Sequence, residues 1–102
     1  MYTLEYLPVA KEDMTEIARY ISRELGNPLA ADRLATKLME KIDKLIDFPY
    51  ACPAYYPIRH LTHDYRKLFV ENHLILYWVD EAAKSVTVAR VVYAGRDYGK
   101  LL

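Results

Sequence analysis

A chain of 102 residues that is 53% apolar and 27% charged holds enough hydrophobic material for one modest core, and too much for a disordered segment. Lys plus Arg equals Asp plus Glu at 14 each, and the sequence pI is near 6.8, so the chain lacks the basic excess that marks a strong generic grip on nucleic acid. The single cysteine, Cys52, excludes an internal disulfide, and the longest apolar run, Leu74–Val79, is far too short for a membrane span. A single domain over residues 1–102, cytoplasmic and without a signal peptide or membrane contact, is the expectation.

Residues 2–7 alternate in polarity and predict a strand. Pro8 suits the first turn of a helix, where its missing N–H costs little, and Glu12 and Asp13 sit near that helix start, where carboxylates suit the dipole. Ala10, Met14, Ile17, Ala18, Ile21 and Leu25 form one apolar stripe at helical spacing, ended by Gly26. Asn27-Pro28 then supplies an N-cap and first helical residue for a second helix running to about Ile46. Its stripe is Ala31, Leu34, Ala35, Leu38, Ile42, Leu45 and Ile46. So short a break between two amphipathic helices predicts an antiparallel helix hairpin.

Residues 48–64, with Pro49, Pro53 and Pro57, read as a link with room for a short strand around 58–61. Three strands come next, at about 65–70, 73–79 and 85–93. Glu71-Asn72 forms a tight hairpin turn between the first two, and residues 80–84 form a longer one. Residues 96–102 form a tail whose Leu101 and Leu102 pack back. The fold class is therefore α+β, in the order β-α-α-β-β-β: an N-terminal strand, a two-helix hairpin, then a three-stranded antiparallel meander. The first strand pairs beside either the last strand or the first meander strand. A helix hairpin covers one sheet face, leaving the other partly open. Tyr77 and Trp78 must face opposite sides of the sheet. Ten tyrosines and one tryptophan are many for this length, and tyrosine is enriched where a surface is half apolar and half wet.

His60, His63 and His73 all lie in the strand-rich half, which holds 7 basic and 5 acidic side chains against 7 and 9 in residues 1–53. Neutral imidazole suits a general base. The His60-x-x-His63 spacing has no cysteine or carboxylate cluster to complete a metal site, so neither metal nor cofactor is expected. Cys52, among Tyr50, Ala51, Pro53 and Ala54, reads as a structural thiol.

Several segments, in order and at matching spacing, resemble the RelE/ParE superfamily of type II toxin–antitoxin toxins, with the nearest likeness to ParE-like "plasmid stabilisation" members. They are Tyr2–Ala10, Ile17–Ile21 (Ile-Ala-Arg-Tyr-Ile), Phe48-Pro49, Tyr65-Arg66-Lys67-Leu68, Ile75–Asp80 (Ile-Leu-Tyr-Trp-Val-Asp) and Arg90–Asp97 (Arg-Val-Val-Tyr-Ala-Gly-Arg-Asp). The resemblance implies a bacterial growth inhibitor neutralised by a cognate antitoxin, which in this family lays an amphipathic segment beside the helix hairpin. Operator DNA is then met only through the antitoxin.

Two chemistries occur in the superfamily. RelE-like members are ribosome-dependent mRNA endoribonucleases that work without metal, using basic residues on the open sheet face. ParE-like members bind DNA gyrase. Arg66 and Lys67 stand where nuclease members carry lysines, and strand alternation lets only one of them serve an open-face site. The nuclease arginine of the middle strand falls near Leu74 and the acid–base glutamate near Tyr56, so both are missing. Arg96 matches the arginine after the last strand, and Tyr98 is placed for a C-terminal tyrosine. The catalytic candidates are thus Arg66, Arg96, Tyr98 and His73, and the candidate contacts for target or antitoxin are Arg59, Lys67, Arg90 and Arg96. An incomplete nuclease set favours gyrase binding. The alternatives are a RelE-like nuclease with a rearranged site and a degenerate, non-toxic antitoxin-binding module.

Overall fold

Thr3–Tyr6 forms β1, and its chain turns at Leu7 into α1, Pro8–Arg19, with proline in the first helical position as its fixed φ favours. The computed structural model describes residues 1–55, 63–95 and 101–102. The expected stripe holds for most of its length: Ala10 is fully buried, and Met14, Ile17 and Ile21 pack against the same core. The regular helix does not reach Leu25. At Tyr20–Glu24 the winding widens to a π-helical turn, in which the Leu25 amide donates to the Tyr20 carbonyl at 3.1 Å. The extra residue in the turn rotates the positions beyond it, so Leu25 leaves the stripe and is 59% exposed.

Gly26 takes the left-handed φ of +61° that a helix stop requires. Asn27 then caps α2, Pro28–Asp43, its side chain accepting from the Ala30 amide at 3.1 Å. A 3-10 turn, Lys44–Ile46, closes the helix. Ala31, Leu34, Leu38, Ile42 and Leu45 are all buried, as their spacing requires.

The meander is β2, Arg66–Val70; β3, His73–Asp80; and β4, Ser85–Tyr93. Glu71 adopts φ +53° in the tight β2–β3 turn. In the longer turn the Asp80 carboxylate accepts from the Ala83 amide at 3.0 Å, and Lys84 returns the chain with φ +53°. The sheet order is β1-β4-β3-β2. Of the two places open to β1, it takes the one beside β4, and it runs parallel to it, from Thr3 opposite Ser85 to Tyr6 opposite Val88. The sheet is therefore mixed, with β3 and β4 at its centre.

Pairing slips between Leu76 and Tyr77, which oppose Arg90 and Val88, so Ala89 is an extra residue in β4. The slip shifts the alternation of β4, so that Val88 and Val91, three residues apart, both join the helix side, and Ala89 and Val92 the other. Tyr77 packs with Leu45 and Val86 toward the helices, and Trp78 lies on the opposite face.

That opposite face is less open than a single helix layer implies. Leu74, Leu76, Ala89 and Val92 form a buried layer there with Tyr65, roofed by Tyr55, Trp78, Leu101 and Leu102. The Leu101–Leu102 contact is the expected packing of the chain end. The expected short strand around 58–61 lies outside the described residues.

Candidate functional site

Arg66 and Lys67 lie back to back on β2, and the face each takes decides what each can do. Arg66 shares the helix side with Leu68 and Val70. Its Nη1 donates to the Cys52 carbonyl at 2.7 Å, and its guanidinium lies 4.9 Å from the Tyr50 ring centroid. The cause is local. Residues 53–55 run along the outer edge of β2, with the Lys67 amide on the Pro53 carbonyl at 3.0 Å and the Tyr55 amide on the Tyr65 carbonyl at 2.8 Å. This brings Cys52 and Tyr50 over the Arg66 side chain. Lys67 takes the opposite face, opposite Leu76, with its ammonium 5.7 Å from the Tyr55 ring centroid.

Beside Lys67 stands a cluster of rings. The His63 imidazole stacks flat on Trp78, with centroids 3.7 Å apart and planes within 1°. Tyr65 meets both edge-on, at 6.0 and 5.7 Å. Leu74, where a nuclease arginine would stand, is fully buried under this face. One ammonium amid rings and aliphatic side chains offers a surface for contact. Among the described residues, Lys67 is the cation this face presents beside the ring cluster, and Arg66 is turned to the other side.

Arg90 is engaged elsewhere. Its Nε and Nη2 donate to the two carboxylate oxygens of Asp13 at 2.8 and 2.9 Å, with both side chains largely shielded from solvent. The same carboxylate accepts the Val91 amide at 3.0 Å. Asp13 thus occupies the edge of β4 just past the end of β1, in the place a neighbouring strand would hold. Its role is this tertiary clamp, where the helix dipole was the expectation. No local pattern in the sequence marks it.

His73 begins β3. Its Nδ1 is shut off from solvent and has no hydrogen-bond partner among the described residues, and the ring meets Tyr93 edge-on at 6.3 Å. Burial holds the imidazole pKa below the ordinary value, with Glu71 pulling weakly the other way. His73 lies in the wall of a cleft of about 670 Å³ between the π-helical turn and the uncovered half of β4. Ile17, Tyr20, Ile21 and Leu25 form one side, and Val91 and Tyr93 the other. A regular helical stripe would bury Leu25 in the core, so helical spacing hides this cleft. The π-helical turn is what opens it.

At the far end of the sheet, Tyr2 and Tyr50 both donate their hydroxyls to the Glu81 carboxylate, which also receives Lys84 at 2.9 Å. These bonds, the one from Tyr2 foremost, hold the Glu81 pKa below the ordinary carboxylate value. Deeper in, the Tyr77 hydroxyl donates to the Pro49 carbonyl at 2.9 Å, and burial drives its pKa upward. Cys52 is half-buried beside it. Arg59, Arg96 and Tyr98, together with His60 and Tyr56, lie outside the described residues. Among the described residues, no group of three or more His, Cys, Asp or Glu could hold a metal, and no helix is long and apolar enough to cross a membrane.

A mixed four-stranded sheet with a helix hairpin on one face and order β1-β4-β3-β2 is the RelE/ParE-like fold. Solved structures agree. The chain superposes on a protein of the chromosomal ParDE toxin–antitoxin system from P. aeruginosa with TM-score 0.69 and 18% identity, over 91% of this chain and 96% of that one. It matches one from the RelBE2 toxin–antitoxin complex of Mycobacterium tuberculosis with TM-score 0.65 and 17% identity, over 90% and 96%. The isolated E. coli RelE toxin gives TM-score 0.60 and 18% identity, over 99% and 95%. No curated protein sequence matches the chain. The family model described as the ParE toxin of the type II toxin–antitoxin system parDE matches residues 4–98, and the chain belongs to that family.

Proposed function

We propose that this protein is the growth-inhibiting toxin of a two-protein module, silenced by a cognate antitoxin, and that it acts by binding its target, DNA gyrase, and not by cutting RNA. Family membership and relatives described as toxin–antitoxin complexes support the antitoxin partner. The observation that carries the non-nucleolytic reading is the orientation of Arg66. Its guanidinium is spent on the Cys52 carbonyl and the Tyr50 ring, on the helix side of the sheet, while among the described residues the opposite face presents Lys67 among rings and a buried Leu74. Cutting RNA through its own 2′-OH needs a base, an acid and cations around one phosphate.

The test is pulse labelling with methionine and thymidine in the minutes after the chain is induced without its antitoxin. The expected result is a fall in thymidine incorporation while translation continues. A prior fall in methionine incorporation points to the ribosome and makes the protein a nuclease with a rearranged site. Growth that continues unchanged marks a non-toxic antitoxin-binding module.

A further inference from the structure

The two outer strands of the sheet end differently. Residues 53–55 run along the free side of β2, where the Lys67 amide donates to the Pro53 carbonyl at 3.0 Å and the Tyr55 amide to the Tyr65 carbonyl at 2.8 Å. β1, at the other end of the sheet, has no such cover. The Thr3 and Leu7 amides donate to the Lys84 and Val88 carbonyls, both at 2.9 Å, so the odd-numbered residues here bond toward β4. Alternation then turns the amides and carbonyls of Leu4 and Tyr6 outward, and among the described residues nothing bonds to them. The Tyr2 amide also points outward, but it is already bonded to the Ile46 carbonyl at 3.2 Å.

Unpaired backbone groups along an edge are a template for another strand. The strand that fits this edge is its own copy. Laid antiparallel about a twofold axis through Glu5, two β1 strands set Leu4 of each opposite Tyr6 of the other, and every outward amide and carbonyl of those residues is bonded. A shift of register that puts Tyr6 opposite Tyr2 leaves groups unpaired, because the Tyr2 amide is taken. On the helix side the pairing places each Leu4 beside a Tyr6, an aliphatic–aromatic pair of the kind that holds strands together. On the other face it brings Glu5 against itself. Glu5 is exposed and makes no ion pair among the described residues, so two carboxylates meet across the axis and repel.

We propose that β1 is an association edge for a second copy of this chain, and that Glu5 is its charge gate. The pair forms weakly while like charges face each other at the axis, and more tightly when that charge is removed or matched by a cation. Both strands are only four residues long, a small contact against the roughly 1,200–2,000 Å² of a stable interface, so the wild-type pair is weak and reversible. It also stops at two copies, because joining β1 to β1 leaves a covered β2 at each end of the shared sheet. The edge lies across the sheet from Arg66 and Lys67, and association through it needs neither antitoxin nor target, so it stands apart from the function proposed above.

The experiment is sedimentation equilibrium of the free chain at neutral pH and low ionic strength. Wild type, Glu5→Thr, Glu5→Lys and an equimolar mixture of wild type with Glu5→Lys are compared, all at an exposed position that the core does not use. Glu5→Thr is expected to dimerise about fivefold more tightly than wild type, the size of one like-charge cross-strand pair. Glu5→Lys alone should stay as weak as wild type. The mixture should form a heterodimer about fivefold tighter than either protein alone, because Lys then faces Glu across the axis. In Glu5→Thr, hydrogen exchange at the Leu4 and Tyr6 amides is expected to slow as concentration rises. A Glu5→Thr chain that remains monomeric overturns β1 as an association edge. A mixture no tighter than its components overturns the meeting of Glu5 with itself. Dimers whose Leu4 and Tyr6 amides still exchange freely place the contact elsewhere and overturn the proposal.

Discussion

The two faces of the sheet draw on the same alternating strands, yet they are closed in different ways. On one face α1 and α2 lay continuous apolar stripes over Val70, Ile75, Val88 and Val91. On the other, among the described residues, no helix covers Leu74, Leu76, Ala89 and Val92. Single rings and the two C-terminal leucines cover them instead. A face sealed by elements owes its integrity to periodicity along a helix. A face roofed by scattered side chains depends on loops arriving from distant parts of the chain. The signal for the second layer was present in the unbroken apolar run Leu74–Val79, because a strand with one face in water alternates and a strand buried on both faces does not.

The sharpest test of this comparison is a matched pair of truncations. Ile42→Ala on the helix side and Leu76→Ala on the other remove fully buried side chains. Each is expected to lower the unfolding free energy by about 2–5 kcal/mol in urea titrations. A loss below about 1 kcal/mol for Leu76→Ala shows that the second layer is a surface and not a core.

Next in size is the clamp at the free edge of β4. Asp13→Ala leaves Arg90 and the Val91 amide without their acceptor, at a cost of about 3 kcal/mol. The Val91 amide should then exchange with solvent much faster than its β4 neighbours. Uniform protection along β4 in the variant would mean that Asp13 does not guard this edge.

A smaller loss is expected from Tyr77→Phe, which strands the buried Pro49 carbonyl and should cost about 1–3 kcal/mol by denaturant titration. His63→Ala, which removes an exposed ring from Trp78, should cost about 0.5–1 kcal/mol while changing tryptophan fluorescence. If His63→Ala costs as much as Tyr77→Phe, the ring cluster is a structural element in its own right.

The smallest expected effect is a dependence on pH. Glu81 has its pKa lowered in the folded state by its bonds from Tyr2 and Lys84. Its contribution is therefore fully present above the ordinary carboxylate range and is lost as pH falls through the folded-state value. The melting temperature of Glu81→Gln should lie below wild type at neutral pH, and the gap should close between about pH 5 and pH 3. A gap that stays constant across that range assigns the effect to something other than the carboxylate charge.

Much of this was legible in the residues themselves. Pro8 and Asn27-Pro28 mark helix starts, Gly26 a stop, and the stripes of both helices name most of the buried layer correctly, because these signals act between residues within a few positions of one another. The candidate site was far less legible. Arg66 and Lys67 are neighbours in sequence, and alternation says only that they part. That Arg66 turns toward the helices comes from the register of β2 and from Tyr50 and Cys52 folding over it. Arg90 reads as a free basic contact until Asp13, 77 positions away, is brought against it.

By itself, then, the sequence determined the order and type of the elements, the apolar faces of the helices and the family to which the whole pattern is similar. Only the tertiary structure decided that β1 runs parallel beside β4, that the π-helical turn opens a cleft at Leu25, that both faces of the sheet are buried, and that Arg66 and Arg90 are engaged within the chain. The reason is physical. Propensity, capping and periodicity are short-range and act before the chain closes on itself, whereas the fate of an ion pair or the occupant of a strand edge depends on which distant segments packing brings together.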